Sequence, residues 1–312
     1  MAVARSVHWR STPPTSVPGA LSSSTTWGME ERPRESDDDP VLIRFDDLEY
    51  RIALHPSQED GVRRITWDVD TREELRDLAD KVADYGLEVS WHEHGDNDER
   101  DWAASFTFTD PDGFPTEVRY GPTFDHRAFR PSGVVSGFVT GDMGLGHVVL
   151  ICKDYDKSVD FYVNVLGFKL SDYIVWDGAD ATFLHCNGRH HSLALMNECF
   201  GQRGGEFNHF LVEVADLDDT GRAYDLITRK GVPLRMQLGR HTNDGMTSFY
   251  LKTPLGLRPG GRQRRRRGGR RVVGGQDVAG TDAVGPRAGR ELSTTVTTTS
   301  TTGTRSSEAA AR

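Results

Sequence analysis

His209-Phe-Leu-Val-Glu-Val-Ala215, then a helical stretch, then Lys230-Gly-Val-Pro-Leu234, is a second writing of Arg64-Ile-Thr-Trp-Asp-Val-Asp70, a helical stretch and Tyr85-Gly-Leu-Glu-Val89. Two further pairs extend the parallel. Ser105-Phe-Thr-Phe-Thr-Asp-Pro-Asp-Gly113 matches Ser248-Phe-Tyr-Leu-Lys-Thr-Pro-Leu-Gly256, and Tyr50-Arg-Ile-Ala-Leu54 matches His191-Ser-Leu-Ala-Leu195. A phrase that returns in the same internal order marks copies of one structural unit. The short apolar runs at 147–152 and 209–214 read as strands. Asp156 to Leu166, with Val159, Phe161, Tyr162, Val165 and Leu166 apolar, suits an amphipathic helix. Thr71-Arg-Glu-Glu74 has the spacing of a capping box, which starts a helix running to Asp84. Gly86 and Gly231 sit where helices end. The expected fold is α+β: two tandem modules of paired β-α-β-β-β units, each an incomplete barrel, at residues 28–135 and 141–256.

Both ends depart from this pattern. Residues 1–27 are rich in Ser, Thr and Pro without a period of 2 or 3.6, in the place where the first module needs its opening strand and helix. Residues 257–312 contain no Phe, Tyr, Trp, Ile, Met, Asn, Lys or His. Such a segment cannot bury a core, so both ends are expected to be disordered. The net charge of −9 divides into a tail of +8, from twelve Arg against two Asp and two Glu, and a body of −17. Three scattered cysteines, Cys152, Cys186 and Cys199, read as reduced thiols. With no apolar run long enough for a bilayer and no signal pattern, a cytoplasmic protein without a membrane partner is expected.

Four phrases of the second module carry a resemblance: Gly144-Leu-Gly-His147, Phe183-Leu-His-Cys-Asn-Gly-Arg-His-His191, Asn208-His209-Phe-Leu-Val-Glu213, and Leu238-Gly-Arg-His-Thr-Asn-Asp-Gly-Met-Thr-Ser-Phe-Tyr250. The last is the most specific, because it is mostly polar residues and glycine in one run. Residues 144–256 resemble the two-module type I extradiol catechol dioxygenases of the vicinal oxygen chelate superfamily, the 2,3-dihydroxybiphenyl 1,2-dioxygenases above all. Residues 41–121 fit the same family's first module more loosely.

The resemblance implies an oxidoreductase that opens a catechol ring beside its diol with O₂ at non-haem Fe(II), in aromatic hydrocarbon breakdown, and a homo-oligomer. Fe(II) of this kind is held by two histidines and a carboxylate on one face. His147 and His209 match the histidine ligands. His191 would stand beside the O₂ position and stabilise negative charge by donating a hydrogen bond. Its neighbour His190, on the same strand, should point to the opposite face. His241 and Tyr250 would bond the substrate hydroxyl oxygens and help move their protons. Asn243 and Asp244 would hold the loop and orient His241 or Tyr250, although Asn243-Asp244-Gly245 is also an ordinary turn. Phe183, Leu184, Met196 and Phe200 are candidate pocket walls or plain core.

The carboxylate is missing. It should follow the Thr-Pro-x-Gly turn by four residues, where this chain has Gly260. The first module keeps the pattern as Gly113-Phe-Pro-Thr-Glu-Val-Arg-Tyr-Gly121, with Glu117 at that point. Because the first copy also has Arg64 in place of His209, it should hold no metal. The second module is thus expected to lack both its third ligand and one strand. A reading-frame error at each end accounts for the abrupt breaks better than a genuine basic arm does. A nucleic-acid partner is not expected, since the body is acidic and the tail offers no aromatic for base stacking. Two readings remain: an extradiol dioxygenase impaired in this sequence, and a metal-free binding protein on the same scaffold.

Overall fold

The computed structural model describes residues 3–11, 28–95, 102–176, 178–252 and 293–298. In the first half these form β1 (Val3–Ser11), β2 (Glu30–Glu31), β3 (Val41–Arg44), β4 (Ile52–Pro56), β5 (Gly61–Val69), α1 (Arg72–Asp84), β6 (Ser90–Glu93), β7 (Trp102–Thr109) and β8 (Pro115–Pro122). The second half contributes β9 (Gly146–Ile151), α2 (Tyr155–Asp160), β10 (Lys169–Trp176), β11 (Ala179–His185), β12 (Leu193–Met196), β13 (Phe207–Val214), α3 (Leu217–Arg229), β14 (Leu234–Arg240), β15 (Thr247–Lys252) and β16 (Ser293–Thr298). The strands make two eight-stranded sheets with the orders β2-β3-β4-β1-β5-β8-β7-β6 and β10-β11-β12-β9-β13-β16-β15-β14. The second order is the first repeated strand for strand. No helix among the described residues is long and apolar enough to cross a membrane.

Local sequence accounts for the helices. Thr71 caps α1 by accepting the Glu74 N–H at 3.1 Å, and Leu75, Leu78, Ala79 and Val82 form its buried stripe. Asp154 caps α2 in the same way. The expected helix over 156–166 instead changes character after Asp160, where Phe161–Val165 forms a π-helical turn. That wider turn sends Phe161 and Tyr162 towards the first half of the molecule. Phe161 meets Tyr85 and Phe108, with ring centroids at 5.1 and 5.8 Å. Trp67 and Phe168 pack edge to face at 4.9 Å, so one hydrophobic core runs through both sheets.

Two stretches expected to be disordered carry strands. Residues 3–11 form β1, paired parallel to β4 and antiparallel to β5. Ser6, Val7, His8 and Trp9 are all buried, so this strand is covered on both faces and needs no polar–apolar alternation. In the tail, Ser293–Thr298 pairs parallel to β13 and antiparallel to β15. Its Ser-Thr-Thr-Val-Thr-Thr composition is poor in core-forming side chains but rich in β-branched residues, which suit extended backbone. The second module therefore does not lose a strand. Residues 12–27 lie outside the described residues, as does most of the tail, Gly260 included.

A buried acidic pair couples the halves. The Asp110 carboxylate accepts N–H bonds from Asp112 and Phe114 and an O–H bond from Tyr162 at 2.8 Å, and Asp112 accepts the Lys153 N–H and the Ser158 hydroxyl. Burial, with Asp112 alongside, pushes the Asp110 carboxyl up to about 6. With the folded value raised, the stabilisation from protonated Asp110 is complete below about pH 4 and is lost as the pH rises through about 6. Asp110→Asn should remove this dependence. In denaturant unfolding, wild type should lose about 2 kcal/mol relative to the variant between about pH 4.5 and about pH 7.5. Parallel pH profiles for the two proteins would refute the assignment.

Candidate metal centre and catalytic site

The site grows from the contact between β9 and β13. Gly146 opens β9 at φ +144°, and a Cβ built on it would fall 1.8 Å from the Leu211 carbonyl oxygen. Only glycine lets the two backbones approach this closely. The register pairs His147 with Leu211 and Val149 with His209, so both histidines face the same side, one step apart on a diagonal. Their Nε2 atoms are 3.1 Å apart. Two imidazoles bonded to one ion at about 2 Å each would present their nitrogens at about this separation. Both rings are buried, which holds them well below the usual histidine range and keeps them neutral, the form that binds metal.

Asn208 fixes the His209 ring. Its Oδ1 lies 2.6 Å from His209 Nδ1, so Nδ1 carries the proton and Nε2 presents its lone pair. The Asn208 amide in turn donates to Gln202 Oε1. Neighbours on a regular strand point to opposite faces. Here the ladder slips between Phe207 and His209, and the irregularity brings Asn208 beside the ring that follows it. Neither Asn208 nor Gln202 was singled out from the sequence, because a bulge inside an apolar run leaves no periodic signal.

The remaining candidates gather around the same cleft. His191 stacks on His147 with centroids 4.0 Å apart. His241 Nε2 lies 2.7 Å from the Tyr250 hydroxyl and 3.0 Å from that of Ser248. Asp244 sits between two histidines, 3.9 Å from His191 Nδ1 and 3.8 Å from His241 Nδ1, and its carboxylate also accepts the Met246 N–H. Asn243 lines the cleft with Val149, Ile174, Trp176, Phe183 and Met196. The cleft walls are mostly apolar, with the histidines, Asn243 and Tyr250 as the polar groups among them.

Several expectations need correcting. His190 does not turn away from His191: their Nδ1 atoms are 3.1 Å apart. Residues 186–192 lie outside the strands, between β11 and β12, so strand alternation does not apply there. Leu184 is core and does not line the cleft, whereas Phe183 and Met196 do. Phe200, half exposed, stacks on Trp176 with centroids 5.8 Å apart. Ile174 and Trp176 were missed as walls, because β10 is an edge strand whose other face, with Tyr173 and Val175, is exposed.

A model of the glyoxalase/bleomycin resistance protein/dioxygenase superfamily matches residues 144–258. The chain is 40% identical over 226 residues to a biphenyl-2,3-diol 1,2-dioxygenase of Paraburkholderia xenovorans, covering 70% of this chain and 74% of that protein. It belongs to the extradiol catechol dioxygenases. An iron-dependent extradiol dioxygenase of Rhodococcus jostii is 36% identical over 242 residues, covering 74% of this chain and 79% of its own. A crystal structure of a halotolerant catechol dioxygenase superposes with a TM-score of 0.74 at 32% identity, over 81% of this chain and 83% of that one.

The residues present meet the family's two-histidine, one-carboxylate requirement only in part. His147 and His209 could hold a metal. Among the described residues, the trio of side-chain donors within 4.8 Å of one another is His190, His191 and Asp244, which includes neither. In the first sheet the matching place holds no metal-binding pair: Arg64 Nε lies 2.9 Å from Glu117 Oε2, and Ser105 and Thr66 also donate to that carboxylate. A guanidinium there neutralises the acid that a cation would otherwise meet. Asn208→Ala should release the His209 ring and weaken Co(II) binding by about 10–100-fold, as losing such an outer partner generally does. Unchanged affinity in isothermal titration would show that Asn208 does not set the ring.

Proposed function

We propose that this protein performs extradiol cleavage of a catechol of the 2,3-dihydroxybiphenyl class, with Fe(II) as cofactor, and does so poorly for want of a third metal ligand. The observation that supports this most is the convergence of His147, His209, His191, His241 and Tyr250 on one cleft. A protein that only sequestered aromatics would need the apolar walls and none of these five side chains. When bound, Fe(II) supplies open positions at which both diol oxygens and O₂ meet. His147 and His209 would hold it.

The ring lies against Phe183, Ile174, Trp176 and Met196, which exclude water from the reacting bond. The hydrogen-bonded His241 and Tyr250 form a short relay at the cleft wall. His241 Nε2 accepts from the Tyr250 hydroxyl, so a substrate hydroxyl proton passed to Tyr250 can move on to the imidazole. Asp244, near both His241 and His191, stabilises whichever ring carries the added proton. Burial keeps His191 neutral beforehand, which leaves it free to take up or return a proton as charge develops on oxygen. Ring opening places both oxygen atoms of O₂ in the product, a yellow unsaturated keto acid.

A second reading, a binding protein without metal, draws on the absent carboxylate. Turnover per bound iron separates the two. Loaded anaerobically with Fe(II) and then exposed to O₂ and 2,3-dihydroxybiphenyl, the chain should give yellow product in proportion to the iron it retains. Tyr250→Phe and His241→Ala should keep that iron and lower kcat by about 10²–10⁴-fold. Retained iron with no ring-opened product from any catechol would favour the binding protein.

A further inference from the structure

We infer that His190, His191 and Asp244 form a second cation site, separate from the His147–His209 pair, and that a divalent ion such as Zn(II) held there blocks proton uptake by His191. The site itself is independent of the proposed function, and only its effect on turnover rests on that reading. Nδ1 of His190 and Nδ1 of His191 lie 3.1 Å apart. Asp244 Oδ2 is 3.9 Å from the His191 nitrogen, and donor atoms of all three side chains lie within 4.8 Å of one another. Three ligands bound to Zn(II) at about 2.0–2.2 Å in tetrahedral directions stand about 3.3 Å apart, with the fourth direction left to water. The two histidines already stand close to that separation, and a small movement of the Asp244 carboxylate closes the rest. His190 and His191 meet through Nδ1, whereas His147 and His209 meet through Nε2.

Charge as well as geometry favours a cation here. The Asp244 side chain is only 2% exposed, and its Oδ1 accepts the Met246 N–H at 2.9 Å. Its basic partners among the described residues are imidazoles, those of His191 and His241, and none of them is Arg or Lys. Glu117 in the first sheet, by contrast, has the Arg64 guanidinium at 2.9 Å. Two arginines near Asp244 and His190 in sequence are engaged elsewhere. Arg240 Nε donates to the Gly245 carbonyl, and Arg189 donates to the Val139 and Met143 carbonyls and pairs with Glu213. A buried carboxylate with no fixed counter-charge is costly. Set beside two imidazole nitrogens, it makes a donor group that suits Zn(II) better than Mg(II) or Ca(II).

The consequence follows from the proton count on each ring. Without metal, the Nδ1–H of one histidine donates to the Nδ1 of the other. An ion bound to both Nδ1 atoms takes both lone pairs and moves that proton to Nε2. Each ring then carries an Nε2–H and has no lone pair left. His191 keeps a hydrogen-bond donor and loses its capacity to accept a proton, which the ring-cleavage reading asks of it.

The test titrates the metal-free full chain with Zn(II) in a calorimeter. Wild type should show two classes of site. His190→Ala should bind Zn(II) about 100-fold more weakly at one of them, having lost one of three ligands. His147→Ala with His209→Ala should lose the other class. Identical isotherms for wild type and a folded His190→Ala chain would overturn the inference. Wild type offers a check that needs no substitution: histidine ¹⁵N spectra should show Zn(II) bound through Nδ1 of two rings, whereas the His147–His209 pair binds through Nε2. Spectra with no histidine bound through Nδ1 would rule the site out, whether or not the variants fold. After anaerobic loading with Fe(II), added Zn(II) should lower turnover per retained iron in wild type and leave that of His190→Ala unchanged. Equal inhibition of both chains would refute the effect on His191. If neither chain opens a catechol while the titrations behave as expected, the Zn(II) site stands and the ring-cleavage reading falls.

Discussion

Among the described glycines, the closest constraint is the approach of β9 to β13 at Gly146, where any side chain would collide with the Leu211 carbonyl. It fixes a register in which His147 and His209 lie diagonally on one face with nitrogens 3.1 Å apart. The cleft inherits its geometry from that pair. His191 stacks on His147 from the loop before β12, and Tyr250 packs edge to face on His209 from β15. Two neutral, buried histidines with converging nitrogens cost desolvation and contribute little packing, which core residues of the same size would supply better. Such a pair makes sense where a cation is meant to sit between them.

The first sheet offers an internal contrast. It repeats the strand order of the second, yet at the positions of His147 and His209 it has Ser6 and Arg64. Its carboxylate, Glu117, survives as an ion-pair partner and hydrogen-bond acceptor. An interior acid without a cation must be neutralised, and a guanidinium does so with directed N–H donors that a metal lacks. Among the described residues, the first half thus has the acid without the paired histidines, and the second the paired histidines without an acid at the matching place.

Legibility in the sequence followed from how each feature leaves its mark. The repeat, the strands bearing His147 and His209, the cap at Thr71 and the Asp244 turn were readable, because each depends on periodicity or on residue types with a fixed local role. What escaped notice depends on tertiary context. Strand β1 is buried on both faces and shows no alternation. The π-helical turn at Phe161–Val165 preserves the apolar pattern of an α-helix while rotating it towards the other module. Asn208 reaches His209 through a ladder slip, and His190 stays beside His191 because the strand begins only at Leu193.

Strand β16 separates what a fold demands from what a site demands. The gap between β13 and β15 needs extended backbone whose N–H and C=O groups complete two ladders, since an open slot there would leave buried polar groups unpaired. Ser-Thr-Thr-Val-Thr-Thr meets that need through β-branched residues with little intrinsic resistance to extension. Many sequences would meet it equally well, because backbone pairing is indifferent to side-chain charge. The metal position tolerates no such substitution. A centre of two histidines and a carboxylate requires an anionic oxygen donor beside the histidines, which backbone pairing does not supply. A sheet can therefore be completed by a segment far along the chain on backbone pairing alone, whatever its side chains supply.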